Sequence, residues 1–324
     1  MERRRLCIQD YTVGWVCALP IELAAATKTL DEEHQALPQD ENDPNVYTLG
    51  CIGEHNVVLA CLPAGQTGTS PAAAVAIRMK AKFTSIRFGL LVGIGGGVPN
   101  SDADIRLGDV VVSQPHMRHG GVVQHDFGKM GLSGFTQTGP PNTLPPLLLN
   151  ALSKMRSNHY IGRNDLSKHL SAIISCVPHF ARVMAGPDLL FESDYNHIEG
   201  PTCDQCSREK LVKRIARDSP DIVVHYGTIA SGNQVVKDGV TRDRLSSELG
   251  GVLCFEMEAA GLMNSFPCVV IRGICDYADS HKHKRWQHYA AATAAACAKE
   301  LLSVIPLTEA AETRTVDEAI DHRG

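Results

Sequence analysis

Two carboxylates flank a methionine at Phe255-Glu256-Met257-Glu258, where an apolar run at 252–255 ends and Ala-Ala-Gly follows. Apolar surroundings on both sides enclose at least one of them, and an enclosed carboxylate accepts hydrogen bonds of the kind sugar hydroxyls donate. Asp276 stands just past the strand read at 267–274, whose apolar run 269–271 leads straight into Arg272. An aspartate there is either a loop cap or a general acid at the carboxyl end of a strand. Glu22 lies in the first turn of a helix opened by Pro20. It is either a helix-dipole partner or a base facing the same sheet edge.

Gly93-Ile94-Gly95-Gly96-Gly97 lets backbone N–H groups approach a ligand, or else makes a plain tight turn. The sixth position is Val98 and Pro99-Asn100 turns the chain, so the pattern fails as a dinucleotide fingerprint. Residues 64–71 form a second small-residue loop leading into a helix, with Thr69 or Ser70 as cap and Pro71 at the first position. It suits an anion or a sugar hydroxyl, or is an ordinary capped helix start. It lacks the lysine of a phosphate-binding loop. His116, Arg118 and His119, with His125 and Lys129, follow one strand; His281-Lys282-His283-Lys284-Arg285 follows another. Each cluster is a solvated loop or an anion contact. His197 with Cys203-x-x-Cys206 has the look of a zinc ligand set, but no fourth ligand stands at a sensible spacing, so neither a metal nor a cofactor is expected.

The elements that must position these groups alternate. Strands are read at 11–19, 46–52, 56–62, 88–93, 109–113, 221–230, 251–257 and 267–274. Helices are read at 21–30, 71–82, 146–157, 239–249, 258–265 and 285–304, with a loop over 131–146 and an insertion over 181–220. Alternation of this kind makes an α/β sheet covered on both faces, with ligands at the carboxyl ends of its strands. One domain is expected over 11–304, with flexible tails at 1–10 and 308–324.

The 324 residues hold 31 Lys+Arg against 36 Asp+Glu, a net charge of −5, which argues against a nucleic-acid or membrane-surface partner. A hydrophobic share of 44% excludes disorder as the overall state. The eleven cysteines sit inside apolar runs and read as free thiols of a reducing compartment. With no apolar stretch of membrane-spanning length and no apolar leader, a soluble cytoplasmic protein is expected.

Taken in order, Ala18-Leu19-Pro20-Ile21-Glu22, Gly93-Ile94-Gly95-Gly96-Gly97, Leu107-Gly108-Asp109-Val110-Val111-Val112-Ser113, Ser231-Gly232-Asn233, Phe255-Glu256-Met257-Glu258 and Arg272-Gly273-Ile274-Cys275-Asp276 carry a resemblance. Over about 11–304 the chain resembles the nucleoside phosphorylase and nucleosidase superfamily. It is most similar to eukaryotic purine and uridine phosphorylase-like domains, often fused to NACHT or repeat modules. The resemblance implies a three-layer αβα sandwich around a mixed, mostly parallel twisted sheet, and a homo-oligomer. It implies that Asp276 protonates or hydrogen-bonds the purine at N7, and that Glu256, Met257 and Glu258 hold the ribose. It makes Glu22 the carboxylate that activates water. Gly95, Gly96, Asn233 and Phe255 are expected at the base and the pocket floor. Phosphorylases of the superfamily hold phosphate with an Arg and a Ser or Thr around the glycine cluster and another Arg near the first strand. Here Leu91 and Ile94 stand at the former positions, and 17–26 has no Arg. No aromatic residue follows Asn233, where Gln234 and Val235 stand.

The expected activity is therefore an N-ribosyl hydrolase acting on a purine nucleoside or nucleotide, with adenine preferred. A phosphate-dependent phosphorylase and a nucleoside-sensing module without turnover are the alternatives. Should the substrate carry 5′-phosphates, His116, Arg118, His119, Lys282, Lys284 and Arg285 are expected to meet them at one rim.

Overall fold

Val13–Cys17 (β1), Phe88–Gly97 (β5) and Cys268–Asp276 (β13) are almost uninterrupted apolar or glycine runs, buried along their length apart from half-buried Ile94. Such runs suit parallel strands covered on both faces. The computed structural model describes residues 3–131, 134–137, 144–263 and 265–307. In it, β1 runs parallel to β5 and to His55–Cys61 (β4), and β5 runs parallel to β13. Tyr47–Ile52 (β3) returns antiparallel beside β4, and Glu32–Glu33 (β2) closes that edge. On the other side Val110–Ser113 (β6) is antiparallel to β13, and Val224–Gly227 (β10) is parallel to β6.

Beyond Leu91, β5 is no longer paired to β1; its end pairs antiparallel with Cys254–Glu256 (β12). β12 continues through Ile229–Ser231 (β11) to Val122–Gln124 (β7), so the sheet bends over itself at its carboxyl edge. Gln287–Ser303 (α7) covers β13 and β5, with Pro20–Thr29 (α1) and Leu166–Cys176 (α4) packed on it. Thr69–Lys82 (α2) packs on β1, β4 and Ala259–Leu262 (α6). Pro146–Tyr160 (α3) and Gly239–Glu248 (α5) complete the helices, and Gly128–Gly131 (β8) and Gly134–Gln137 (β9) form a separate hairpin. The architecture is a mixed, mostly parallel sheet between helices.

Several elements differ from the sequence reading. The strand expected at 221–230 is two, because β10 follows β6 while β11 turns away to β7 and β12. The strand expected at 251–257 keeps only three residues. The stretch 131–146 contains β9 rather than loop alone. Helix α4 was not foreseen, although Leu166, Leu170 and Ile173 make its buried stripe. The cap of α2 is Gly68 at φ +102°, so Thr69 is the first residue of the helix and Pro71 its third. Residues 3–10 are not a free tail: Arg3 pairs with Glu33 at 2.6 Å and Arg4 reaches His34 at 3.0 Å. The tail expected at 308–324 lies outside the described residues. Among the described residues no helix is long and apolar enough to cross a membrane.

Asp109 ties the insertion back to the sheet. Arg217 donates to both its oxygens at 2.7 and 2.6 Å, His225 Nε2 lies 3.0 Å away, and the Arg106 N–H donates at 2.9 Å. Burial alone raises this carboxyl, but the Arg217 and His225 contacts outweigh it and hold Asp109 below the ordinary aspartate value. A depressed carboxyl stabilises the fold above its unfolded pKa, and that stability is lost as pH falls through the folded value. Asp109→Asn is therefore expected to cost about 3 kcal/mol at pH 7. The gap to the unaltered protein should narrow below pH ~4. Urea unfolding of both proteins across that range checks this; a gap that does not change with pH removes Asp109 as its cause.

Candidate active site

The glycine cluster is strand, not turn. Its backbone is paired to β13 on one edge and to β12 on the other, so most of its N–H groups serve the sheet instead of a ligand. Its lack of side chains serves close approach. A Cβ on Gly93 would collide with the Glu22 carboxylate and the Arg272 guanidinium; one on Gly96 would meet Asp276 Oδ1 at 2.8 Å.

Glu22 comes from the first turn of α1. Its Oε2 accepts the N–H groups of Ala18 at 2.7 Å and Leu19 at 2.9 Å, and its Oε1 accepts that of Ile94 at 2.8 Å. The side chain thus caps its own helix and reaches the glycine strand. Burial pushes its carboxyl above the ordinary glutamate value, against the opposing pull of Arg272 and these three N–H groups.

Arg272 is fully buried in β13. Its Nη2 donates to Glu256 and, at 3.2 Å, to Glu258, and Nη1 reaches the Ile94 carbonyl at 3.5 Å. Glu256 also accepts the N–H groups of Glu258 at 3.1 Å and Ala259 at 3.0 Å, starting α6. Glu258 accepts the Gly68 N–H at 3.3 Å, linking the 64–68 loop to the cluster. Glu256 and Glu258 share one guanidinium, and Glu22 lies within its electrostatic reach. Burial pushes Glu258 up to about 7, with Arg272 opposing and Glu256 and Glu22 adding to the rise.

Asp276 is the last residue of β13. Its Oδ1 accepts the Ala278 N–H at 2.9 Å, and its Oδ2 lies 3.0 Å from Lys282 Nζ and 3.1 Å from Cys275 Sγ. Burial lowers the Lys282 ammonium, but Asp276 beside it more than offsets that, and the net shift is upward.

Glu22, Gly95, Gly96, Phe255, Glu256, Met257, Glu258 and Asp276 all line one cleft. Leu19, Thr67 and residues 234–236 form its other walls. Asn233 does not line it. Asn233 Oδ1 accepts from Thr69 N at 3.0 Å and Oγ1 at 3.1 Å, clamping the loop before α2 to the loop after β11.

The basic rim is not formed. His119 Nε2 lies 3.0 Å from the Leu249 carbonyl and Arg118 donates to the Glu248 carbonyl at 3.4 Å, so that loop, with His116, docks on the end of α5. Lys284 and Arg285 are exposed and lie outside the cleft lining. Lys282 does line the cleft, but it is engaged by Asp276. Among the described residues Lys282 is the one cationic side chain in the lining. Arg272 was missed as a site residue. Its signal was an arginine inside a run that otherwise reads as a wholly buried strand, which demands a buried counter-charge.

The sequence profile of the family described as "Phosphorylase superfamily" matches residues 12–305. A nucleotide-binding leucine-rich repeat (NLR)-like protein of Hyaloscypha variabilis is 49% identical over 94% of the chain, which spans only 30% of that relative's length. A 5′-methylthioadenosine/S-adenosylhomocysteine nucleosidase of Mycobacterium bovis is 26% identical over 92% of this chain and 98% of its own. The solved nucleosidase of that name from S. pneumoniae, bound to a transition-state inhibitor, superposes with a TM-score of 0.58 at 18% identity, over 91% of this chain and all of its own.

Proposed function

The chain belongs to the phosphorylase superfamily, and on that footing we propose that it is an N-ribosyl hydrolase cleaving purine nucleosides, adenine nucleosides first, with water as the nucleophile. The observation that carries the reading is the placement of Glu22 and the Arg272-bound pair Glu256 and Glu258 in one cleft with Asp276. Breaking an N-glycosidic bond builds positive charge on the sugar and negative charge on the base. Carboxylates at the sugar side answer the first, and Asp276 with the Lys282 ammonium answers the second.

The hydrogen bonds support the following roles. Glu258, with Met257 beside it, receives ribose hydroxyls. Glu22, with a raised carboxyl pKa, takes the proton of the attacking water. Lys282 holds a proton 3.0 Å from Asp276, which can pass through the carboxyl to the departing base. Among the described lining residues a phosphate nucleophile finds no uncommitted cation. Arg272 is taken up by carboxylates, and the Ile94 N–H by Glu22. A 5′-triphosphate likewise finds no free cation among the described lining residues, so unphosphorylated nucleosides are the better substrates. The Mycobacterium bovis relative, named for nucleosides without 5′-phosphates, supports this choice, whereas an Escherichia coli relative, 24% identical over 86% of this chain, is named an ATP nucleosidase, which makes ATP the decisive member of the test panel.

The test is a panel of adenosine, 5′-methylthioadenosine, inosine, uridine and ATP, with and without inorganic phosphate. The expected products are free base and a reducing sugar at a rate indifferent to phosphate. Ribose 1-phosphate formed only with phosphate would sink the hydrolytic reading; tight binding with no product would favour a sensing module.

A further inference from the structure

The insertion between α4 and β10 lines no part of the cleft, yet it gathers soft metal ligands. His197 Nδ1, Cys203 Sγ and Cys206 Sγ all lie within 4.8 Å of one another. Nδ1 stands 3.4 Å from Cys206 Sγ and 3.8 Å from Cys203 Sγ. Zinc bonds of ~2.3 Å to sulfur and ~2.05 Å to nitrogen, opened to the tetrahedral angle, separate S and N by about 3.6 Å. The two observed separations bracket that value.

The imidazole is also set in the right tautomer. Nε2 lies 3.0 Å from the Gly200 carbonyl, so the proton sits there and the Nδ1 lone pair faces both sulfurs. One lone pair cannot accept two thiol protons well, whereas one cation satisfies all three atoms. Cys203–Gln205 is a single 3₁₀ turn closed by the Cys206 N–H on the Cys203 carbonyl at 3.1 Å, which brings both sulfurs to the same side. Both cysteines are buried with Phe191, among Leu189, Tyr195 and Leu211.

A fourth ligand, absent from the neighbouring sequence, would come from the loop after β13, where His281 stands beside the cluster but outside the 4.8 Å group of three, its carbonyl 4.0 Å from Cys203 Sγ. His281 is 8% exposed and neither ring nitrogen has a hydrogen-bond partner. Its ring stacks on Phe191 at 4.1 Å and stands perpendicular to that of His197, centroids 5.6 Å apart. Asp279 Oδ2 is 3.8 Å from its Nδ1, beyond hydrogen-bond reach.

We propose that Cys203, Cys206, His197 and His281 form a structural zinc site. Two thiolates and two neutral imidazoles cancel the charge of Zn²⁺, which an apolar pocket requires, and binding releases the two thiol protons. The site would pin the insertion to the loop 277–283, which carries Lys282 onto Asp276. The His197 N–H already donates to Ser280 Oγ at 2.9 Å along the same seam.

The experiment loads the full chain with zinc sulfate under reducing conditions, removes unbound metal by gel filtration, and measures zinc per chain. About one zinc is expected. Cys203→Ser and Cys206→Ser should each lose at least about tenfold in zinc affinity, as should His281→Ala. Cys176→Ser, at an exposed cysteine, should retain the metal. Because a serine variant can misfold, the unaltered protein is also loaded with cobalt, and tetrahedral bands with thiolate-to-metal charge transfer are expected. The proposal falls if the unaltered chain holds no stoichiometric zinc, if its cobalt form shows no thiolate band, or if the Cys203/Cys206 double variant still binds one zinc.

Discussion

Glu22→Gln is expected to lose roughly 10²–10⁴-fold in kcat while the protein stays folded. Glutamine keeps a carbonyl oxygen for the Ala18 and Leu19 N–H groups, so the start of α1 survives. Its amide nitrogen then faces the Ile94 N–H, and one buried donor is left without a partner. Against that local cost stands a gain. The raised pKa of Glu22 means that the fold disfavours its anion. The stability of the neutral form is fully present below the unfolded pKa and is lost as pH rises through the folded one. Glutamine removes that loss at neutral pH and takes one negative charge from a cluster with three carboxylates and one guanidinium. The thermal midpoint should therefore hold or rise as turnover collapses. In the unaltered protein kcat/KM should fall on the acid side at a pH above the ordinary glutamate range, because Glu22 must be ionised to take a proton. That acid limb should vanish in the variant. A variant with near-normal kcat, or one whose loss follows unfolding, would leave Glu22 as a helix cap.

Arg272→Met is expected to cost about 3–5 kcal/mol at neutral pH and to reduce kcat/KM by at least ~10²-fold. Methionine fills much of the channel of the arginine stem but leaves Glu22, Glu256 and Glu258 with no cation. Buried like charges raise one another's pKa, so the cluster should take up protons. Protonated Glu258 then competes poorly for ribose hydroxyls. The sign of the pH dependence follows. As pH falls the carboxyls neutralise and the penalty shrinks, so the variant should recover stability relative to the unaltered protein between pH ~7.5 and ~5. Denaturant unfolding at the two values measures this. A penalty that does not change on acidification would mean that Arg272 contributes by packing alone.

Glu256, Met257, Glu258 and Asp276 were legible because each sits within a few residues of the end of an apolar strand, where local pattern suffices. Glu22 left two readings open: its Oε2 caps α1, as the first has it, while Oε1 crosses to Ile94 and its role as a base stays a proposal. Arg272 was not legible as a site residue because Glu256 and Glu258 lie 16 and 14 residues away, and only the sheet brings them together. The glycine cluster read as a ligand-facing loop or a tight turn because glycine disfavours strands; pairing on two edges overrides that preference. Loop charge carries no direction. His119 lies 130 residues from the carbonyl it contacts, and Lys282 turns inward to Asp276. His281 escaped for the same reason, since its neighbour Cys203 lies 78 residues away.

The groups proposed to react sit on α1, β12, β13 and the turn into α6, and Glu22, Arg272 and Asp276 bear on the glycines of β5. Gly93 and Gly96 are already the smallest residues available, so drift there can only add bulk against Glu22, Arg272 or Asp276. Evolution therefore has little freedom on that wall. The opposite wall is different: residues 234 and 235 are exposed, in a loop, and reach the cleft without bonding to the carboxylate cluster. Divergence in the base accepted can accumulate there while the bond-breaking groups stay untouched, which separates the part of this protein that can change its diet from the part that cannot.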